Sequence, residues 1–236
     1  MSTETDSPTA PPTTTPSANE RARIVAATVA VGAAALFLLA AIAITRGEDS
    51  GDESQGASKA WGGAQVNASD YPRPQFTLTD TTGQPYDFAA QTQGKLTLLF
   101  FGYTHCPDVC PGQMTTLTAA LKTAGMPKPT VVFVTTDPAR DTPERLRNWL
   151  DAYDASYVGL TGTIDQIQQA ELAAKVPPST VLDGASGDYE VGHAAQVTAY
   201  TPDDYAHLVY PFGIRRQDWL SDLPRMMDEW GGGVTG

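Results

Sequence analysis

The chain has 236 residues and a formal net charge of −12, enough length for one ordinary core of about 100–200 residues with appendages. Beyond residue 46 it carries 12 Lys and Arg against 24 Asp and Glu, a balance that repels a phosphate backbone and excludes nucleic acid as a partner. Its only two cysteines stand four positions apart in Cys106-Pro-Asp-Val-Cys110, with no third thiol to pair with either.

Residues 1–23 are rich in Pro, Thr and Ser and bury too little apolar surface to offset the entropy of ordering, which predicts a disordered cytoplasmic tail. From Ile24 to Ile44 run 21 residues without a charge or a proline. At a rise of about 1.5 Å per residue this run crosses a hydrocarbon core of about 30 Å, and a single transmembrane helix is predicted over 24–44. Arg21 and Arg23 precede it, whereas Arg46 is followed by Glu48, Asp49, Asp52 and Glu53. The positive-inside rule therefore places the N-terminus in the cytoplasm and everything after the helix on the extracytoplasmic side of the cell membrane. Ala41 and Ala43 resemble a signal-peptide processing site, but the apolar run is longer than a usual signal core, which favours an uncleaved anchor. Residues 45–66, rich in Gly, Ser and acids, read as a flexible linker, residues 67–230 as one domain and 231–236 as a C-terminal tail.

Within the domain, strand and helix signals alternate. Phe76–Leu78 and Tyr86–Phe88 flank a Thr82-Gly83 turn and predict a hairpin. Leu96–Gly102 is a continuous apolar run, as expected of a strand covered on both faces, and Gln113–Thr123 reads as the helix after it. Thr130–Thr135 is a second such strand. Asp141-Thr-Pro-Glu144 offers a capping signal for a helix through Tyr153, and Val158–Leu160 leads to a helix opened by Thr163 with Gln166 three residues on. Pro177–Asp188 reads as loop. Gln196–Tyr200 and Ala206–Tyr210 predict another hairpin around Pro202-Asp203-Asp204, and Trp219, Leu223, Met226 and Trp230 mark one face of a last helix. Pro224 lies inside it and predicts a kink or a later start. Parallel strands joined by helices and closed by an antiparallel hairpin imply an α/β fold, a central mixed sheet flanked by helices.

Cys106 and Cys110 fall between a buried strand and a helix, where free backbone N–H groups and the positive end of the helix dipole stabilise a thiolate. Four positions apart, the sulfurs can chelate one ion or close a disulfide, and spacing alone is compatible with either. A bridge across so few residues removes little loop entropy from the unfolded chain, so a structural staple is the weaker reading and a reactive or ligating pair the stronger.

The segment Phe101-Gly-Tyr-Thr-His-Cys106-Pro-Asp-Val-Cys110-Pro111 resembles the signature of the Sco/SenC proteins, thioredoxin-like copper chaperones that serve the binuclear copper centre of cytochrome c oxidase. The resemblance extends through Asp137-Pro-Ala-Arg-Asp141-Thr-Pro-Glu144, Val158-Gly-Leu-Thr-Gly-Thr163 and Tyr189-Glu-Val-Gly-His193 and covers about residues 70–230. It implies a thioredoxin-like fold behind an N-terminal anchor, with copper ligands at Cys106, Cys110 and His193. Two thiolates suit soft Cu(I), and an added imidazole makes Cu(II) tolerable. The implied acceptor is cytochrome c oxidase subunit II, with another copper carrier or a thiol reductant as a further partner.

The rival reading is a thiol-disulfide oxidoreductase that reduces the acceptor's cysteines with Cys106 and Cys110 as its redox pair. Two Cys and one His also fit zinc in principle. A peroxide pocket, which a thiol peroxidase needs, is not identifiable. Where the family commonly has Asp before the histidine, this chain has Gly192, so the carboxylate that would orient His193 through its second ring nitrogen is missing at that position. His105 is expected to tune thiolate charge without ligating, and His207 to lie on a hairpin surface. Asp137 and Asp141 fit support of the site and local capping equally well.

Overall fold

The computed structural model describes residues 60–182 and 189–231. The predicted tail 1–23 and spanning helix 24–44 lie outside the described residues, and no helix among the described residues is long and apolar enough to cross a membrane. Among the described residues, ten strands and five α-helices follow in the order β1 (Ala64–Gln65), β2 (Thr77–Asp80), β3 (Pro85–Asp87), α1 (Phe88–Thr92), β4 (Thr97–Gly102), α2 (Val109–Leu121), β5 (Thr130–Thr135), α3 (Pro143–Asp151), β6 (Val158–Thr161), α4 (Ile164–Ala173), β7 (Thr180–Leu182), β8 (Glu190–Gly192), β9 (Val197–Tyr200), β10 (Ala206–Tyr210) and α5 (Arg216–Trp230). Eight strands form one sheet in the order β1-β10-β9-β4-β5-β6-β2-β3, and β7 and β8 pair only with each other. The β4–β5 and β5–β6 pairs are parallel and the other pairs antiparallel, so the sheet is mixed, as predicted.

Every residue of β4 is buried, because successive side chains point to opposite faces and both faces are covered. Leu98 and Phe100 enter one core with Phe133, Met114, Leu117, Leu146, Trp219 and Leu223, under α2, α3 and α5. Leu99 and Phe101 enter the other with Val132, Val134, Phe88, Ile167 and Ala170, under α1 and α4. Burying each large apolar side chain is worth about 1.5–3 kcal/mol, so this central strand is the part of the chain most firmly held. Its C-terminal end is where both cysteines lie.

Several predicted boundaries differ. Residues 61–65, read as linker from their composition, are part of the folded unit: β1 pairs with β10, Trp61 stacks on Trp230 at 4.9 Å, and the N–H groups of Gly62 and Gly63 donate to the buried Asp222 carboxylate at 2.8 and 3.1 Å. The helix predicted from Gln113 begins at Val109, because Pro111 falls in its first turn, where a missing N–H leaves no intrahelical bond unmade. Thr180–Leu182, read as loop, is a strand opposite Glu190–Gly192. Pro224 is tolerated as the ninth residue of α5, which starts at Arg216 and keeps Trp219, Leu223 and Met226 fully buried on one face.

Candidate metal centre

The loop from β4 into α2 carries Cys106, and the first turn of α2 carries Cys110. The loop is fixed by one carboxylate. Asp141, fully buried, accepts from the Thr104 N–H at 2.9 Å, from the Thr104 hydroxyl at 2.5 Å and from the Thr135 hydroxyl at 2.7 Å. The N-cap role that its position suggested falls to Thr142, which accepts from the Arg145 N–H. Asp141 thus ties the end of β5 to the residues before Cys106. Gly102 completes the floor, because a Cβ there would lie 2.8 Å from the Cys110 sulfur and 3.1 Å from the Phe133 ring.

His193 follows β8 and faces the cysteines. Its Nε2 lies 3.4 Å from the Cys110 sulfur and its Nδ1 3.3 Å from the Ala194 carbonyl oxygen. With Gly192 before it, the second ring nitrogen meets this backbone oxygen where the family pattern suggested a carboxylate. The ring packs edge-on against Tyr103, with centroids 5.5 Å apart, and tilts over Phe100 at 6.3 Å. Strand β8 is moored by the Val191 N–H, which donates to the Tyr103 hydroxyl at 3.4 Å, and by the Tyr189 hydroxyl, which donates to Asp137 at 2.8 Å. Asp137 is also paired with Arg140, whose guanidinium lies 3.7 Å from the Tyr189 ring centre.

Among the described residues, one group of side chains has metal-ligating geometry: Cys106 Sγ, Cys110 Sγ and a ring nitrogen of His193 lie within 4.8 Å of one another. Donors so spaced could converge on one ion at about 2.3 Å from sulfur and about 2.0 Å from imidazole nitrogen, the distances known for zinc, by side-chain adjustment. His105 turns away, its Nδ1 3.5 Å from Asp141, and His207 stacks on Trp230 at 4.1 Å while bonding Asp203 at 2.7 Å. Neither joins the group.

Both cysteines are free and buried. The hydrogen bond from Cys110 holds the Cys106 thiol down to about 4; burial opposes this, and the backbone N–H of Cys110 and His193 assist it. The same bond with Cys106, together with burial, pushes the Cys110 thiol up. The first proton therefore leaves from Cys106, whose sulfur accepts from the Cys110 N–H at 3.4 Å at the start of α2, where the helix dipole favours negative charge. In the reduced, metal-free protein the ultraviolet absorbance of one thiolate is expected to appear as pH rises through about 4 and to stay level to neutrality. Cys110→Ala is expected to move that midpoint up toward the ordinary thiol value of about 8.5. A wild-type midpoint already near that value would remove the thiolate from Cys106.

The family model described as SCO1/SenC matches residues 65–228. A protein of Stutzerimonas stutzeri named "Putative copper-binding protein" is 38% identical over 66% of this chain and 76% of its own length. The mitochondrial SCO2 protein of Saccharomyces cerevisiae is 34% identical over 65% of this chain, which spans about half of it, 51%. Among solved structures, Bradyrhizobium japonicum ScoI with copper bound matches at a TM-score of 0.58 and 31% identity over 66% of this chain and 99% of that one. Yeast Sco1 with copper bound matches at 0.61 and 27% identity over 68% and 90%.

Proposed function

Because the chain belongs to the SCO1/SenC family, we propose that it is a copper metallochaperone, with Cys106, Cys110 and His193 as the ligands, that delivers its ion to the binuclear copper site of cytochrome c oxidase subunit II. The observation that carries this reading is the convergence of two sulfurs and one imidazole nitrogen within 4.8 Å. The donor chemistry supports copper: two thiolates hold soft Cu(I), the imidazole extends the set to Cu(II), and three protein ligands leave a side open to an incoming ligand. The thioredoxin-like fold gives that set a rigid base in β4 and α2. Copper is cargo here, passed on by ligand exchange with no turnover required.

The apolar run 24–44 and the arginines before it support a single-pass anchor in the cell membrane, with the copper-binding domain on the extracytoplasmic side. Titration of the reduced protein with Cu(I) and with Cu(II) tests the central reading. One ion per chain is expected in each state, with thiolate-to-copper charge-transfer bands for Cu(II). A reduced protein that binds neither ion while its cysteines exchange with disulfides would overturn it.

That outcome belongs to a second reading, thiol-disulfide reduction of the acceptor's cysteines. It is favoured by the division of labour in the pair: Cys106, held down to about 4, is the attacking thiolate, and the buried Cys110 keeps its proton until it resolves the mixed disulfide. An external thiol reductant would then restore the pair. Either activity uses the same two sulfurs.

A further inference from the structure

Helix α4 carries a buried carboxylate that is no part of the copper ligand set and that the folding of its face does not require. Ile167, Ala170 and Ala174 line its buried side in the second core, and at the matching helical position stands Glu171, fully buried. An apolar side chain there would continue the stripe, and a buried carboxylate is destabilising unless its oxygens are matched by donors. Only one oxygen is matched. Oε2 accepts from the Ser179 N–H at 2.8 Å and from the Ser179 hydroxyl at 3.1 Å, while Oε1 has no hydrogen-bond partner. Ser179 is itself buried, and its carbonyl accepts from Gln168 at 2.9 Å.

Ser179 stands at the base of β7. The next residue, Thr180, pairs with Gly192, and Gly192 precedes His193. A Cβ on Gly192 would lie 3.2 Å from the Thr180 hydroxyl, so β7 is in close contact with the strand at that point. Since β7 and β8 pair only with each other, the Glu171–Ser179 contact joins this two-stranded arm to the body of the domain. Burial pushes the Glu171 carboxyl up, while the two Ser179 bonds and the His193 imidazole act in the opposite direction.

We propose that Glu171 is the positioning residue of His193: by holding Ser179 it fixes the start of β7, and through the Thr180–Gly192 pair it sets where the imidazole stands over the two cysteines. The inference rests on the assignment of His193 as a copper ligand, with Glu171 acting through the arm and touching no metal. Removal of an outer partner of a metal-bound histidine weakens binding by about 10–100-fold, and that loss is confined to the oxidation state that needs the imidazole.

The test compares the full chain with Glu171→Ala and Glu171→Gln, each also in a His193→Ala background. Without metal, amide hydrogen exchange across β7 and β8 is expected to speed up in Glu171→Ala, and to return toward wild type in Glu171→Gln, which keeps an acceptor for Ser179. With metal, Glu171→Ala is expected to weaken Cu(II) binding about 10–100-fold, to leave Cu(I) within about threefold and to have no further effect once His193 is gone. Unchanged exchange in the arm, or an equal loss of Cu(II) in both backgrounds, would overturn the positioning role. Faster exchange in Glu171→Ala from a wild-type protein that binds no copper would instead overturn the copper assignment and leave the mooring of the arm intact.

Discussion

Replacing Cys106 with serine is expected to abolish the thiolate-to-copper bands and to weaken Cu(I) binding by at least about a thousandfold, about 4 kcal/mol. His193→Ala is expected to lose Cu(II) by about a hundredfold or more while leaving Cu(I) within about tenfold. The contrast follows from the donors. A soft monovalent ion is held by two sulfurs, and Cys106 supplies the one that ionises first, so serine removes that sulfur and leaves a single buried thiol, whose burial favours its protonated form. The imidazole adds a borderline nitrogen that the divalent ion needs and the monovalent ion can lack. Titration of both variants with both ions, read by absorption and metal content, checks the pattern. Unchanged Cu(II) affinity in His193→Ala would take that residue out of the ligand set. Disulfide exchange that survives in His193→Ala and is lost in Cys106→Ser would mark the reductase chemistry separately.

Asp141→Ala is expected to destabilise the fold by about 2–4 kcal/mol, because three donors lose one buried charged acceptor together. In a domain of this size that lowers the melting temperature by about 5–15 °C. Chemical denaturation of the metal-free protein measures it. The damage is expected to reach the site as well, since the Thr104 N–H and hydroxyl that Asp141 holds lie two residues before Cys106. Asp141→Asn keeps one acceptor oxygen for the two donors that meet on Oδ2 but loses the charge and the second acceptor, and is expected to recover no more than about half of the lost stability. A fully stable Asp141→Ala protein would mean that water replaces the carboxylate at no net cost, and that the loop before Cys106 is set by α2 alone.

The central strands were legible because Leu96–Gly102 and Thr130–Thr135 carry no charge and nothing more polar than threonine, and the structure places β4 and β5 within a residue of those limits. The helix at Thr163 was equally plain, since the capping box that its sequence spells is formed. β7 left no trace because all three of its residues are exposed; a strand with no buried face has no alternation to read. β1 is two residues in a glycine-rich, polar stretch, and its hold comes from Asp222, 160 positions away from Gly62. The cysteine pair announced its chemistry by spacing, whereas His193 was reached only through resemblance, since one loop histidine carries no periodic signal. Glu171 went unremarked although the signal was present: Ile167, Ala170 and Ala174 place it on the apolar stripe of its own helix.

Two of the three donors and the third differ in how they are mounted. Cys106 and Cys110 sit on the strand-to-helix joint at the centre of an eight-stranded sheet, while His193 rides on a pair of strands bonded only to each other and moored through side chains of Tyr103, Asp137 and Glu171. In the proposed carrier, an acceptor's ligand would compete first with the imidazole, whose support lies outside the main sheet, while the two sulfurs keep the ion. The moorings of the arm would then tune the hold on Cu(II), which needs the imidazole, and the sulfurs the hold on Cu(I).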